Sequence, residues 1–233
     1  MIRRLLLALA LGSALGVGVM SAPADAATPL VGSCHQLTYD QALTDSSDDS
    51  APVPCTGAHT TQTVAVVTSP TSFAGLTNDQ IAEQANQLCN APVLKALGPA
   101  VLRAQTAYTA WDFAPNSAQI AAGESWVRCD LALVDGPKLQ QLPHHVLRLP
   151  VSRRPIADSV RECLRSNLTT TCNHRHTQRT IGAFAPARPF ASKAAFERAA
   201  HRSCPGATGY GFPTTSQWSA GYHVIVCYQK TRR

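Results

Sequence analysis

Two segments of the chain place a cysteine four residues before a histidine. The pairs are Cys55–His59 and Cys172–His176. A thiolate and an imidazole at this spacing can supply half of a zinc site, or a nucleophile with its base. Both kinds of chemistry require a free cysteine. The redox state of the cysteines therefore decides between a chemical and a structural role for these pairs.

The eight cysteines form two sets of four within a repeated sequence. Residues 115–129 align without a gap on residues 213–227, and the two Cys-x-x-x-His segments align as well. This repetition indicates one small module present twice. In an exported chain an even cysteine count indicates disulfides. Each set allows three pairings. The pairing of the first cysteine with the second, and of the third with the fourth, is favoured because local loop closure constrains the chain least. The favoured bonds are Cys34–Cys55, Cys89–Cys129, Cys163–Cys172 and Cys204–Cys227.

Residues 1–26 have the pattern of a signal peptide. Arg3 and Arg4 precede an apolar run, and Ala24 and Ala26 occupy the −3 and −1 positions of a cleavage site. The run is shorter than the roughly 20 residues that span a bilayer. We expect a secreted, extracellular mature chain without a transmembrane anchor; a retained N-terminal anchor is the alternative.

Hydrophobic periodicity predicts similar elements in both copies. Strands are expected at residues 61–67 and 177–184, and closing strands that carry the fourth cysteine at 126–133 and 224–228. Thr77 and Ser192 are expected to cap helices that Pro92 and Pro205 end. Each helix has an apolar face at i, i+4 and i+8: Ile81, Ala85 and Cys89 in one, Phe196, Ala200 and Cys204 in the other.

The expected fold is α+β: two tandem small disulfide-stapled modules, each a helix packed on a short antiparallel sheet. The predicted boundaries are 27–135 for the first module, 136–155 for a linker rich in Pro and Arg, and 156–233 for the second module.

Charge is divided unevenly between the two halves. Residues 27–137 contain ten acidic and three basic side chains, whereas residues 138–233 contain three acidic and fifteen basic ones. The second half should therefore attract polyanions, or the acidic first module should dock on it. Arg pairs bidentately with phosphate and carboxylate. Arg153, Arg154, Arg161 and Arg165 are the first candidates for anionic-ligand binding, because they follow the linker and are expected to be accessible.

The repeated segments resemble those of a known family. Gly32-Ser33-Cys34, the two Cys-x-x-x-His-Thr segments and Pro213–Gly221 resemble the septum formation family of actinobacterial envelope proteins. The second copy departs from the pattern because no Gly-x-Cys precedes Cys163, and the first copy has Ile120 where the second has Trp218. The resemblance implies a place in the cell envelope and a link to cell division. It implies no known chemical activity.

The chemical alternatives are weaker than the structural interpretation. We expect His59 and His176 to hydrogen-bond backbone, with no metal or cofactor, and no Gly-x-Ser-x-Gly elbow suggests a serine hydrolase. The predicted function is a non-catalytic, envelope-associated binding module. Its candidate partners are anionic wall polymer, lipid headgroups or an acidic envelope protein, and not nucleic acid. The alternative is a secreted hydrolase or zinc-dependent enzyme with a site built from loops.

Overall fold

The computed structural model describes residues 28–144, 155–186, 189, 192–219 and 222–231, with backbone alone at Ser216 and Gln217. Two antiparallel sheets, each joined to a helix, give the predicted α+β fold. The predicted signal peptide lies outside the described residues. No helix in the described ranges has the length and apolar character needed to cross a membrane.

The first sheet is built from residues 34–140. Its strands are β1 (Cys34–His35), β2 (Thr61–Thr68), β3 (Tyr108–Phe113), β4 (Trp126–Val134) and β5 (Leu139–Gln140). They are accompanied by helices α1 (Tyr39–Thr44), α2 (Asn78–Leu97), α3 (Ala100–Arg103) and α4 (Ser117–Ala121). The strand order is β1-β2-β4-β3, and β5 pairs with β4. The start of the predicted linker thus contributes a short strand to this sheet.

The second sheet is built from residues 162–230. Its strands are β6 (Glu162–Arg165), β7 (Leu168–Thr171), β8 (Gln178–Phe184), β9 (Gly209–Gly211) and β10 (Ile225–Lys230). Its helices are α5 (Lys193–Ser203) and α6 (Thr215–Ser219). The strand order is β7-β6-β8-β10-β9.

The two sheets repeat one topology, and the repeat includes an irregularity. The order β1-β2-β4-β3 corresponds to β6-β8-β10-β9, with a cysteine in each equivalent first strand. The pairing register shifts between Thr63 and Ala65 in β2, so that Val64 is the extra residue of a bulge. In β8 the equivalent Ile181 is the extra residue opposite β10. A bulge bends its strand and increases the local twist, so both modules share this curvature.

Helix α2 packs its apolar face on the first sheet. Thr77 and Gln80 form the predicted capping box. Five residues at four-residue spacing are buried against Val127, Cys129 and Leu131 of β4: Ile81, Ala85, Cys89, Val93 and Leu97. The prediction that Pro92 ends this helix is wrong, because α2 continues to Leu97 and ends at Gly98 with φ 85°. Burial of Val93 and Leu97 offsets the lost hydrogen bond and the steric cost of an internal proline.

All eight cysteines of the chain form disulfides, in the pairing favoured from the sequence. The bonds are Cys34–Cys55, Cys89–Cys129, Cys163–Cys172 and Cys204–Cys227. In each module one bond closes the chain around the first strand. The other joins the helix to the central strand, β4 or β10. Cys204 caps the end of α5, whereas Cys89 lies two turns before the end of α2.

A short antiparallel seam joins the modules. Thr106 pairs with Arg161 in an isolated bridge. On either side of it, Ala107 N donates to Val160 O at 2.9 Å, and Glu162 N donates to Gln105 O at 2.9 Å. Ala107 is 1% exposed within an apolar cluster that Val160 contacts from the second module. The seam therefore holds the start of β6 beside α3.

Candidate functional site

The two histidines of the Cys-x-x-x-His segments are buried structural residues. His59 Nδ1 lies 3.0 Å from the carbonyl oxygen of Gly57, and His176 Nδ1 lies 2.7 Å from that of His174. Each histidine ring thus contacts the carbonyl oxygen of the residue two positions earlier. This contact closes a turn just before β2 or β8. The preceding cysteines are both in disulfides. Neither segment therefore offers the thiolate that a zinc or nucleophile role requires, and the predicted backbone hydrogen bonds are confirmed.

A buried polar network fills the face of the first sheet opposite α2. Arg128, 2% exposed, lies 2.6 Å from Asp48 and 3.2 Å from Asp130, and its guanidinium sits 4.5 Å from the ring centre of Phe113. Thr61 and Thr63 donate to Asp130. Burial raises the pKa of Asp48, but hydrogen bonds from Arg128 and Ser50 outweigh it and hold that pKa below its usual value. The network fastens the long loop of the first disulfide onto the sheet.

Ser33, His35 and Asp48 lie in the order of a hydrolase triad within this network. Ser33 Oγ is 3.3 Å from His35 Nε2, and His35 Nδ1 is 3.5 Å from Asp48 Oδ2. Burial, followed by the charge of Arg128, lowers the pKa of His35. However, Ser33 Oγ donates its hydrogen to the Leu30 carbonyl at 2.8 Å, and Asp48 Oδ2 is held by Arg128. The hydroxyl of Ser33 and the carboxylate of Asp48 are therefore both used in structural contacts.

The candidate arginines differ in their surroundings. Arg153 and Arg154 lie outside the described residues. The expectation that Arg161 is accessible is wrong: it is 9% exposed, and its guanidinium donates to the carbonyls of Ile156 and Thr180. Its position in the seam between the modules explains this burial. Arg165, which is part-exposed, pairs with Asp135 at 3.1 Å.

An exposed basic row lies instead on α5. Arg198 and Arg202 are one turn apart on this helix, His201 lies beside them, and all three are exposed. Residues four apart share one face of a helix. Within the described part of the chain, no acidic side chain pairs with either arginine. We call Arg198, His201 and Arg202 the α5 basic row.

A cleft of about 400 Å³ lies between the two modules. Val93, Leu94 and Leu97 of α2 form one wall, and Val224 and Val226 of the second module form another. Its polar side chains come from both modules: Arg103, Thr106, Tyr108, Glu162, Tyr222 and Tyr228. A cleft of this volume, with aliphatic walls and convergent polar groups, is large enough to hold a small molecule.

Glu162 is the central charged group of the cleft. Burial raises the pKa of Glu162 to about 7, against hydrogen bonds from Tyr228 and Thr169 that lower it. Burial also raises the pKa of Tyr228, and the nearby Glu162 carboxylate raises it further. On the other side of the cleft, Arg103 lies 5.9 Å from the ring centre of Tyr222 and donates to the Gly98 carbonyl. The cleft thus presents a carboxyl group that changes charge near neutral pH.

The cleft occupies the face that the polar network fills in the first module. Glu162 precedes Cys163 as Ser33 precedes Cys34. Val226 and Tyr228 flank Cys227 as Arg128 and Asp130 flank Cys129. The first disulfide spans 21 residues in the first module but 9 in the second. The shorter loop lacks a counterpart of Asp48, and α2 and α3 of the first module meet this face instead.

Sequence reasoning did not find the cleft, although one signal was present. The second copy lacks the Gly-x-Cys of the first, and the residue that takes the place of the serine before Cys163 is the cleft acid, Glu162. Arg103 and Tyr228, which line the cleft with Glu162, are about sixty residues away on either side in sequence. Only the packing of one module on the other brings them together.

These features define a duplicated, disulfide-bonded α+β protein with a cleft between its modules. The family model for septum formation matches the chain twice, over residues 17–115 and 74–210. The chain therefore belongs to the septum formation family, as its cysteine pattern indicated. The two matches overlap over residues 74–115. The family is not a known enzyme family. No curated protein and no solved structure matches the chain.

Proposed function

We propose that this protein is an extracytoplasmic, non-catalytic binding protein of the cell envelope that holds an anionic polymer through its second module. The single observation that carries the proposal is the α5 basic row, which is exposed and lacks acidic partners among the described residues. Family membership and four disulfides support an envelope location. The family name supports a role in septum formation.

The contact between the modules leaves this row open. Ion pairs between the halves, among the described residues, all use Asp135, which lies 3.1 Å from Arg165 and 3.2 Å from His174. Among the described residues, the first module therefore pairs with charged groups of the second module at the seam and not on α5. The exposed arginines remain available for phosphate or carboxylate groups, which a guanidinium binds bidentately.

The test is binding of the full mature chain to soluble polyphosphate and, in a second arm, to vesicles containing phosphatidylglycerol. We expect polyphosphate binding at low salt that weakens as salt increases, because exposed charges are screened beyond about 8 Å at physiological ionic strength. The double variant R198Q/R202Q should bind about thirtyfold more weakly, since each of the two basic residues near an anionic surface contributes about 1 kcal/mol and a factor of ten corresponds to about 1.4 kcal/mol.

The matched control is K95Q/K138Q, which removes the same charge from exposed sites elsewhere. It should bind nearly as well as the wild type. Equal losses in both double variants would show that net charge alone attracts the polymer, and absence of binding at low salt would refute the proposal. Binding to vesicles without binding to polyphosphate would identify a lipid surface in place of a polymer.

A further inference from the structure

The cleft between the modules presents charges of both signs to a ligand. Burial raises the pKa of Tyr222, and both charged groups act on its hydroxyl as well: Arg103 lowers that pKa and Glu162 raises it. An anionic ligand would meet Glu162, and a cationic ligand would meet Arg103. A neutral ligand that both donates and accepts hydrogen bonds satisfies the two groups together.

An aromatic ring stands at the opening of this cleft. Phe212 lines the cleft and is nevertheless 59% exposed. Its ring centre lies 5.2 Å from that of Phe196 on α5, so the ring packs against this helix. A large exposed apolar side chain beside convergent polar groups indicates a surface that a ligand covers.

The first module shows what this face becomes when it is structural. There, the equivalent positions hold a closed network in which Arg128 and Asp130 neutralise each other under a long loop. In the second module the loop is short, and Val226 and Tyr228 replace the ion pair. Glu162 lines the cleft and accepts hydrogen bonds from Tyr228 and Thr169, and among the described residues no cation forms an ion pair with it. The change from a filled face to an open one is what a binding site requires.

We propose that this cleft binds a neutral saccharide. Sugar hydroxyls donate to Glu162 and accept from Arg103, while the apolar face of a sugar ring rests on Phe212. Hydroxyl groups combined with an apolar ring face match the mixture of polar side chains and aliphatic walls in the cleft. The site is independent of the α5 basic row, because it selects a neutral ligand and should depend little on salt.

The ionisation of Glu162 adds a pH dependence to this binding. The other titratable groups of the cleft are Arg103, Tyr108, Tyr222 and Tyr228. Burial raises the pKa of Tyr108 to about 12, and burial also raises those of Tyr222 and Tyr228. Glu162 is thus the cleft group that changes charge near neutral pH. A carboxylate accepts stronger hydrogen bonds than a neutral carboxyl group, so binding should strengthen as the pH rises through about 7.

Calorimetric titration of the full mature chain tests the proposal. The probes are two neutral oligosaccharides, chitotetraose and maltotetraose, with zwitterionic dialanine and anionic octanoate as contrasts. We expect at least one saccharide to bind, more tightly at pH 8 than at pH 6. E162Q should weaken binding at pH 8 about tenfold, the value of one hydrogen bond to a charged group, and should remove the pH dependence.

F212A tests the ring contact and L43A is its control. Leu43 is a similarly exposed apolar residue, 61% exposed, that does not line the cleft. F212A should weaken saccharide binding severalfold, and L43A should bind like the wild type, with all variants unfolding cooperatively. The proposal is overturned if neither saccharide binds at millimolar concentration, or if only dialanine or octanoate binds. Saccharide binding that neither E162Q nor F212A changes would also overturn it.

Discussion

Differences at single equivalent positions distinguish the corresponding faces of the two modules. Asp130 accepts from two threonines and pairs with Arg128 in the first module, so its charge is fully compensated. Tyr228 holds the equivalent position in the second module, where it donates to Glu162. Buried charges are tolerated when they are paired, and an incompletely compensated carboxyl group responds by a raised pKa. The difference in chemistry between the faces therefore follows from a few residues beside the shared cysteines.

Glu162 should make the protein less stable as the pH rises. Its pKa is about 7 in the folded chain and 4.5 in its ordinary state, so the folded chain binds more protons between these values. The free energy of unfolding must then fall from about pH 4.5 to about pH 7, and the loss persists above pH 7. Glutamine removes this titration. We expect the stability of wild type relative to E162Q, measured by urea unfolding, to be lower at pH 8 than at pH 4.5.

The matched control for this measurement is E197Q, which alters an exposed glutamate on α5 that pairs with Lys193. Its effect on stability should vary little with pH. If the difference between wild type and E162Q were the same at pH 4.5 and pH 8, Glu162 would not be desolvated in the folded chain.

At the scale of the elements, local sequence patterns were sufficient to predict the main helices, strands and disulfides. Capping residues, four-residue apolar spacing and cysteine order predicted the starts of α2 and α5 and the four disulfides. Strands β2, β4, β8 and β10 were predicted within a few residues. These signals depend on residues that are near neighbours in sequence, or they repeat in both copies. They can therefore be recognised in a single sequence.

Features that depend on packing between distant segments were not predicted. Strands β3 and β9 are not among the predicted strands, because they are short and are held mainly by their pairing with the closing strands β4 and β10. Arg161 lies in a charge-rich segment that suggests exposure, yet the seam buries it. The cleft combines α2 and α3 with β6 and β10, so neither copy alone indicates it.

Pro92 in α2 provides a test at this scale. Proline inside a helix lacks the N–H that would donate to the carbonyl four residues earlier, and its ring clashes with that carbonyl. P92A should restore the hydrogen bond to Leu88, since α2 is already fixed by the burial of Val93 and Leu97. We expect the free energy of unfolding to increase by about 1–3 kcal/mol.

P205A is the control, because Pro205 follows the end of α5 and interrupts no helix. It should change the free energy of unfolding by less than about 1 kcal/mol. A P92A protein that is less stable than the wild type would mean that the proline fits a bend on which the packing of α2 depends.

At the scale of the whole molecule, the seam attaches the second sheet to the first module. Glu162 N and Ala107 N donate across it, and Gly136 N donates to Thr169 O at 2.8 Å. Asp135 adds an ion pair with Arg165, and its carboxylate lies 3.2 Å from Nδ1 of His174. Backbone hydrogen bonds, an apolar cluster and charge pairs together favour one fixed arrangement of the modules. A cleft formed from both can hold a ligand only if that arrangement persists.

The two modules should therefore unfold in a single transition. Trp111 and Trp126 report on the first module and Trp218 on the second. In urea unfolding, the fluorescence curve and the circular-dichroism curve should coincide within W218F, and likewise within W111F/W126F, because the seam couples the halves. Ala107, 1% exposed at the seam, is the position at which to weaken this coupling. A107D buries a carboxylate without a partner there and should shift the two reporters apart. Separate transitions in the chain with Ala107 intact would show that the modules are stable independently. The cleft would then form only while they remain docked.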